Sequence, residues 1–260
     1  MNILEQLAEH ARQRVNEKKK LISAEEIRQQ AFSLPKGDFA FENALKAPGI
    51  SFICECKKAS PSKGLIAEDF PYLEIAKEYE AAGADCISVL TEPKWFLGSD
   101  QYLREITSAV YIPCIRKDFT VDEYMIYEAR CLGASAVLLI CSLLSEKMLR
   151  DYIGICDELG LSALVETHTD NEVDMALSAG ARLIGVNNRN LKDFSVDTDN
   201  SRRLRKKIPE TVLFVSESGV KDASDVEKLR EIGADAVLVG ETLMRAADKK
   251  KKLKELRGIL

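Results

Sequence analysis

Eight short apolar runs recur along the chain, and their spacing limits the fold more than any other feature. They are SFICEC (51–56), DCISVL (85–90), YIPCI (111–115), SAVLLI (135–140), LSALVE (161–166), RLIGV (182–186), TVLFV (211–215) and DAVLV (235–239), and successive starts lie 21 to 34 residues apart. The runs are rich in Val, Ile and Leu and nearly continuous, as expected of parallel strands covered on both faces. The intervals are too long for hairpins and long enough for a helix with two loops. A repeated phrase precedes several strands: AGAD ending at Asp85, LGAS at Ser135, AGAR at Arg182 and IGAD at Asp235, with ELG at Gly160. Glycine fits there because the residue just past a helix often needs positive φ. Eight strand–helix units predict closure into a (β/α)8 (TIM) barrel. An open doubly wound sheet would need no eighth strand, and no GxGxxG follows the first one.

The 260 residues suit one such barrel and leave no room for two large domains. Residues 1–48 precede the first strand, and 3–17 and 24–32 have helical spacing. Ser23–Glu26 and Thr169–Glu172 are capping-box patterns, and Asp222 opens a later helix in a similar acidic way. The expected organisation is a single domain, 1–260, with an N-terminal helical extension (1–48) lying across one end of a barrel (49–260). The lysines at 249–252 are expected on a solvated face of the last helix, favouring its C-terminal end.

Charge and cysteine usage exclude several function classes. A net charge of −5 gives no global basic field for nucleic acid or an anionic membrane, so an anionic ligand would need a local cluster of positive groups. No apolar window is long enough to span a membrane, and the charged N-terminus lacks a signal-peptide core. A cytoplasmic chain, acting as a monomer, is expected. The seven cysteines are odd in number and form no CxxC pair, so they read as small core hydrophobes. With only His10 and His168, a His-rich metal site is excluded and a His-based triad has little to work with. No metal and no cofactor is expected.

In a barrel of this kind, chemistry belongs at the C-terminal ends of the strands. Five strand ends carry polar groups where a buried charge is costly unless used. The first ends Glu55-Cys56-Lys57, two side chains on one side with Cys54 and Cys56 facing the helices. The third runs into Arg116-Lys117, the fifth ends at Glu166, the sixth at Asn187-Asn188-Arg189 and the seventh at Ser216-Glu217-Ser218. Gly219 and Gly240, after strands seven and eight, stand where barrels often receive phosphate. These residues predict a phosphate-bearing small molecule with Lys and Glu acid–base groups around its other end.

The motifs together resemble the indole-3-glycerol phosphate synthase family. The resemblance is carried by Glu55-Cys-Lys57-Lys58-Ala-Ser60-Pro-Ser-Lys-Gly, Arg116-Lys117-Asp118-Phe119, Leu164-Val165-Glu166, Gly185-Val186-Asn187-Asn188-Arg189, Ser216-Glu217-Ser218-Gly219 and Val239-Gly240-Glu241. It implies closure of 1-(2-carboxyphenylamino)-1-deoxyribulose 5-phosphate to indole-3-glycerol phosphate, with loss of carbon dioxide and water. It also implies roles: Lys117 as general acid, Glu166 as general base, and Lys57 near the substrate carboxylate and supplying a second proton. Glu55 and Glu217 would hold the lysines and substrate hydroxyls, Asn187 would bond the substrate, and Arg189 would anchor Asn187 and its loop. Phosphate would sit on Ser60, Ser218, Gly219 and Gly240, with Phe96, Phe119 and Leu138 walling the anthranilate ring. Glu241 stands where some members have Ser, leaving the contact there to the backbone. The isomerase barrel fused to some members is not expected. Short of the resemblance, the residues leave open a Schiff-base aldolase, a sugar-phosphate isomerase and a barrel that only binds a phosphometabolite.

Overall fold

The structure, a computed structural model, describes residues 2–190 and 194–259. Eight parallel strands form a closed barrel: β1 (Ser51–Cys56), β2 (Cys86–Leu90), β3 (Cys114–Lys117), β4 (Ala136–Ile140), β5 (Ser162–Thr167), β6 (Leu183–Asn187), β7 (Leu213–Glu217) and β8 (Ala236–Val239), with β8 returning to β1. Their residues are buried almost throughout, as the continuous apolar runs require. Register levels the functional ends: Lys117 pairs with Leu90, Glu166 with Ile140 and Gly185, and Asn187 with Glu217. Gly83, Gly133, Gly160, Gly180 and Gly233 all take the positive φ expected after their helices.

β3 departs from the expected 111–115. Pro113 has no N–H to give to a ladder, and the N–H groups of Tyr111 and Ile112 go instead to Glu80 Oε1 at 2.6 and 3.1 Å. Pairing therefore starts at Cys114 and takes in Arg116 and Lys117. β7 likewise begins two residues later than the run TVLFV, because Val212 N–H closes a turn onto the Pro209 carbonyl. After β1 a two-residue antiparallel ladder, Ala59–Ser60 with Gly64–Leu65, shapes the loop.

Three helices precede β1: Ile3–Leu21, Ala24–Ser33 and Ala40–Leu45. Both expected capping boxes, at Ser23 and Thr169, are present, and Asp222 accepts from Ser224 and Asp225 N–H. The third helix has no start signal in the sequence. Its N-cap, Phe39, is in the left-handed region and makes no side-chain cap bond. The lysine run lies at the opposite end from that expected. Lys249–Arg257 is the last helix, so Lys249–Lys252 fill its first turn, where the macrodipole disfavours cations. Asp248 offsets this by capping Lys251 N–H at 2.8 Å.

The first helix is tied to the barrel by charge. Arg14 donates two bonds to Asp118, at 2.9 and 2.7 Å, and Lys18 pairs with Asp100 and with Glu128. Among the described residues no helix is long and apolar enough to cross a membrane.

Candidate active site

The C-terminal strand ends enclose a cavity of about 1030 Å³, lined by Glu55, Lys57, Ser60, Phe96, Lys117, Phe119, Leu138, Glu166, Asn187, Arg189, Glu217, Ser218, Gly219 and Gly240. All the residues expected from the sequence thus meet in one place. The volume suits a substrate of drug-like size.

Alternation along β3 divides its motif in two. Lys117 and Phe119 line the cavity, while Arg116 turns outward; Asp118 also borders the cavity, but its carboxylate is held by Arg14 and Thr91 Oγ1. Arg116 is buried and reaches Asp100 (2.8 Å), Glu128 (2.7 Å) and Thr91 Oγ1 (3.2 Å). Half of Arg-Lys-Asp-Phe, Lys117 and Phe119, therefore serves the cavity. The other half joins the barrel to the helix at the N-terminus.

Lys117 Nζ is the hub of the cavity floor. It lies 3.1 Å from Glu217 Oε2 and 3.3 Å from Glu166 Oε2. Burial alone would discharge this amine. The carboxylates of Glu217, Glu166 and Glu55 outweigh burial and hold it above its ordinary value. The two glutamates respond in opposite ways. Burial works to raise Glu166, yet Lys117 and His168 keep it below the usual carboxylate range. Glu217 is pushed up to about 7, by burial first and then by the Glu166 and Glu55 charges, against the pull of Lys117. Gly185 makes room for it: a Cβ there would stand 2.2 Å from Glu217 Oε1. Near neutrality the pair thus offers one ionised carboxylate and one that readily holds a proton.

Lys57 Nζ bonds Glu55 Oε1 at 2.6 Å, and Ser88 Oγ donates to Glu55 Oε2 at 3.2 Å. Burial would raise Glu55, but Lys57 and then Lys117 hold it low. The pair lies against Gly240, where an added Cβ would meet Glu55 Oε1 at 2.6 Å and Lys57 Nζ at 2.9 Å. Lys57 therefore stands between the lysine–glutamate floor and the glycine rim.

Asn187 and Asn188 divide as the β3 residues do. Asn187 Oδ1 accepts from Ser218 Oγ and from the Arg189 N–H, each at 3.0 Å. The Arg189 link to Asn187 is thus through the backbone, while its guanidinium donates to the Phe194 carbonyl at 3.3 Å. Asn188 is spent on Ser201, Ser216 and the Ser218 carbonyl. Ser218 itself is left-handed, φ 68°, and stands beside Gly219 at the cavity rim. Ser60 Oγ lies 3.5 Å from Ser62 Oγ.

Phe96 and Phe119 lie side by side in the cavity lining, ring centroids 6.0 Å apart. The support of this pair is not among the residues expected from the sequence. Glu92, fully buried, accepts from the N–H groups of Lys94 (3.0 Å), Trp95 (2.7 Å) and Phe96 (3.0 Å) and contacts His10 Nδ1 at 3.0 Å. A carboxylate just past β2 is a sixth charged strand end, and the same rule would single it out. Leu238, Ile140 and Phe194 also line the cavity. They carry no sequence signal that separates them from ordinary core.

Residues 4–256 match the family model for indole-3-glycerol phosphate synthase. The chain belongs to the indole-3-glycerol phosphate synthase family. The synthase of Ruminiclostridium cellulolyticum is 57% identical over 257 residues, covering 98% of this chain and 99% of that one. That of Lachnoclostridium phytofermentans is 48% identical, covering 99% and 100%. A solved 3-hexulose-6-phosphate synthase superposes with a TM-score of 0.64 over 81% of this chain and all of that one, at 16% identity, a likeness of fold alone. Membership in the synthase family makes the chain a carboxy-lyase of tryptophan biosynthesis.

Proposed function

We propose that this cavity closes 1-(2-carboxyphenylamino)-1-deoxyribulose 5-phosphate to indole-3-glycerol phosphate, with Lys117 as general acid and Glu166 as general base. The observation that carries the reading is Lys117 Nζ within 3.3 Å of both Glu166 and Glu217 on the floor of one cavity. Lys117, held protonated, gives its proton to the substrate ketone oxygen as the ring carbon attacks and the new carbon–carbon bond forms. The ring carboxylate then leaves as carbon dioxide. The hydroxyl departs as water with a second proton from Lys57, while Glu166 removes the proton whose loss completes the indole ring. Glu55 orients Lys57, Glu217 orients Lys117, and Asn187 bonds the substrate.

Ser60, Ser218, Gly219 and Gly240 receive the phosphate, Arg189 steadies the loop beside it, and Phe96, Phe119 and Leu138 hold the anthranilate ring. A monomer is the proposed working unit. The ion pairs of the first helix with Asp118, Asp100 and Glu128 support reading residues 1–48 and 49–260 as one domain.

Two measurements test this. Fluorescence of the indole product should grow when purified protein meets the carboxyphenylamino substrate; binding without product would overturn the reading. Borohydride added with substrate should trap no adduct, because no Schiff base forms; a stable mass increase on Lys57 or Lys117 would favour an aldolase. Separately, Lys57→Ala should raise KM roughly tenfold or more, the usual scale for a lost charged contact, and also lower kcat. An unchanged KM would remove Lys57 from the anionic end of the substrate.

A further inference from the structure

Charge at the barrel mouth does not balance between the lysines and glutamates. Lys57 matches Glu55, but Lys117 alone serves both Glu166 and Glu217. Three carboxyl groups thus face two ammonium groups in a buried site, where unmatched charge is costly; Glu217 meets this in part by readily holding a proton, while Glu166 stays ionised and shares Lys117 with it. A third cation is within reach. His168 follows β5, its side chain 18% exposed, with Nε2 3.6 Å from Glu166 Oε1. That is ion-pair distance and too long for a hydrogen bond, and among the described residues this buried nitrogen has no hydrogen-bond partner.

The other ring nitrogen, Nδ1, faces Glu172 Oε2 at 3.7 Å. Glu172 is held in place as the third residue of the capping box on the helix Asp170–Ser178, accepting from His168 N–H at 2.5 Å and Thr169 N–H at 3.1 Å. Asn200 Nδ2 donates to the His168 carbonyl at 3.3 Å. The His168 backbone is therefore fixed on both sides, with Nδ1 at ion-pair distance from Glu172 and Nε2 facing Glu166.

We propose that His168 is a positioning residue for Glu166: an imidazolium set between Glu172 and Glu166 that keeps the Glu166 carboxylate charged and turned for proton abstraction. This rests on Glu166 being the general base. The titratable and charged groups around the ring are Glu166 on β5, Glu172 on the next helix, Glu217 on β7, Lys117 on β3 beyond Glu166, and the Cys141 thiol after β4, which donates to the Glu172 carbonyl. Arg203, on the helix that supplies Asn200, is paired with Asp170. Burial favours the neutral ring, but Glu172, Glu166 and Glu217 outweigh it and hold His168 above its ordinary value. The charged form is present at low pH and is lost as pH rises through that raised value, so the alkaline fall in activity contains the His168 titration.

The test is kcat against pH for the wild type, His168→Asn and Glu172→Gln. Glutamine preserves the capping pattern but removes the charge behind the ring. His168→Asn should lower kcat about tenfold at pH 7 and move the acid limb up by about one unit, since Glu166 loses a neighbouring cation. Glu172→Gln should keep the wild-type Tm and move the alkaline limb to lower pH. Profiles of wild-type shape in both variants, with only a uniform loss of kcat or Tm, would overturn the proposal. Should His168→Asn not fold, the Glu172→Gln profile decides alone. Glu166→Gln separates the two levels: wild-type turnover there removes the general base itself, whereas an inactive Glu166→Gln with unmoved profiles removes only the role of His168.

Discussion

Lys117→Ala should lose about a thousandfold in kcat, within the range expected for removing a positioned general acid, while KM stays within a few-fold of wild type. The phosphate and aromatic ends of the cavity are built from Ser60, Ser218, Gly219, Gly240, Phe96 and Phe119, none of which leans on Lys117 for its position. Its Nζ instead contacts the carboxylates of Glu166 and Glu217. The lost interaction is one the substrate would use as charge develops on its ketone oxygen, so the deficit should appear in the chemical step. Removing the ammonium also leaves Glu166 and Glu217 facing each other without a cation between them. Both carboxylates should titrate higher, and the remaining activity should show an acid limb displaced upward. Steady-state kinetics across pH reads both effects. Near-wild-type turnover in this variant would move the acid to another group.

Arg116→Ala should be the most destabilising single change, costing about 3–5 kcal/mol, as expected when one partner of a buried ion-pair set is removed. Whole-protein stabilities are about 5–15 kcal/mol, so the loss is a large fraction of the total. The guanidinium, 2% exposed, is the cation shared by Asp100, Glu128 and Asp118, and it also donates to the Met125 carbonyl. Without it, three acidic groups are left to Arg14 and Lys18. Burial works to raise Asp118, but Arg14 and then Arg116 hold it well below the usual carboxylate range. Its stabilisation is therefore fully present above the unfolded value near 3.9 and is lost as pH falls through the depressed folded value. The Tm difference between wild type and variant should accordingly be large at neutral pH and shrink below about pH 4, where unpaired carboxylates can take up protons. A pH-independent difference would mean that Arg116 acts through its packing.

The strands and the site are legible in the sequence for one physical reason. A strand buried on both faces is written as uninterrupted Val, Ile and Leu, so Glu55, Lys57, Lys117, Glu166 and Glu217 stand out at the ends as groups that solvation alone would not place there. What stays hidden depends on register and distance. Arg116 and Lys117 are both basic and adjacent, and only the start of β3 at Cys114 decides which of them reaches the ligand. Periodicity misplaces that start, because Tyr111 and Ile112 look like strand while their N–H groups serve Glu80. His168 gives no signal in one dimension: two histidines are too few for a metal or triad, and its contacts with Glu166 and Glu172 exist only in space. The Lys249–Lys252 run suggests a helix C-terminus by its charge, and only Asp248 in its role as a cap reverses that reading.

The in-and-out alternation of β3 makes its length as consequential as its composition. Deleting or inserting one residue between Cys114 and Arg116 would exchange the two faces of the strand from that point on. The ammonium would turn toward the outer helices and the guanidinium into the cavity, abolishing catalysis and the charge network in one event. Point substitutions can sample those two properties separately, but changes of length here cannot. Length variation among related chains should therefore collect in the connecting loops and spare this strand.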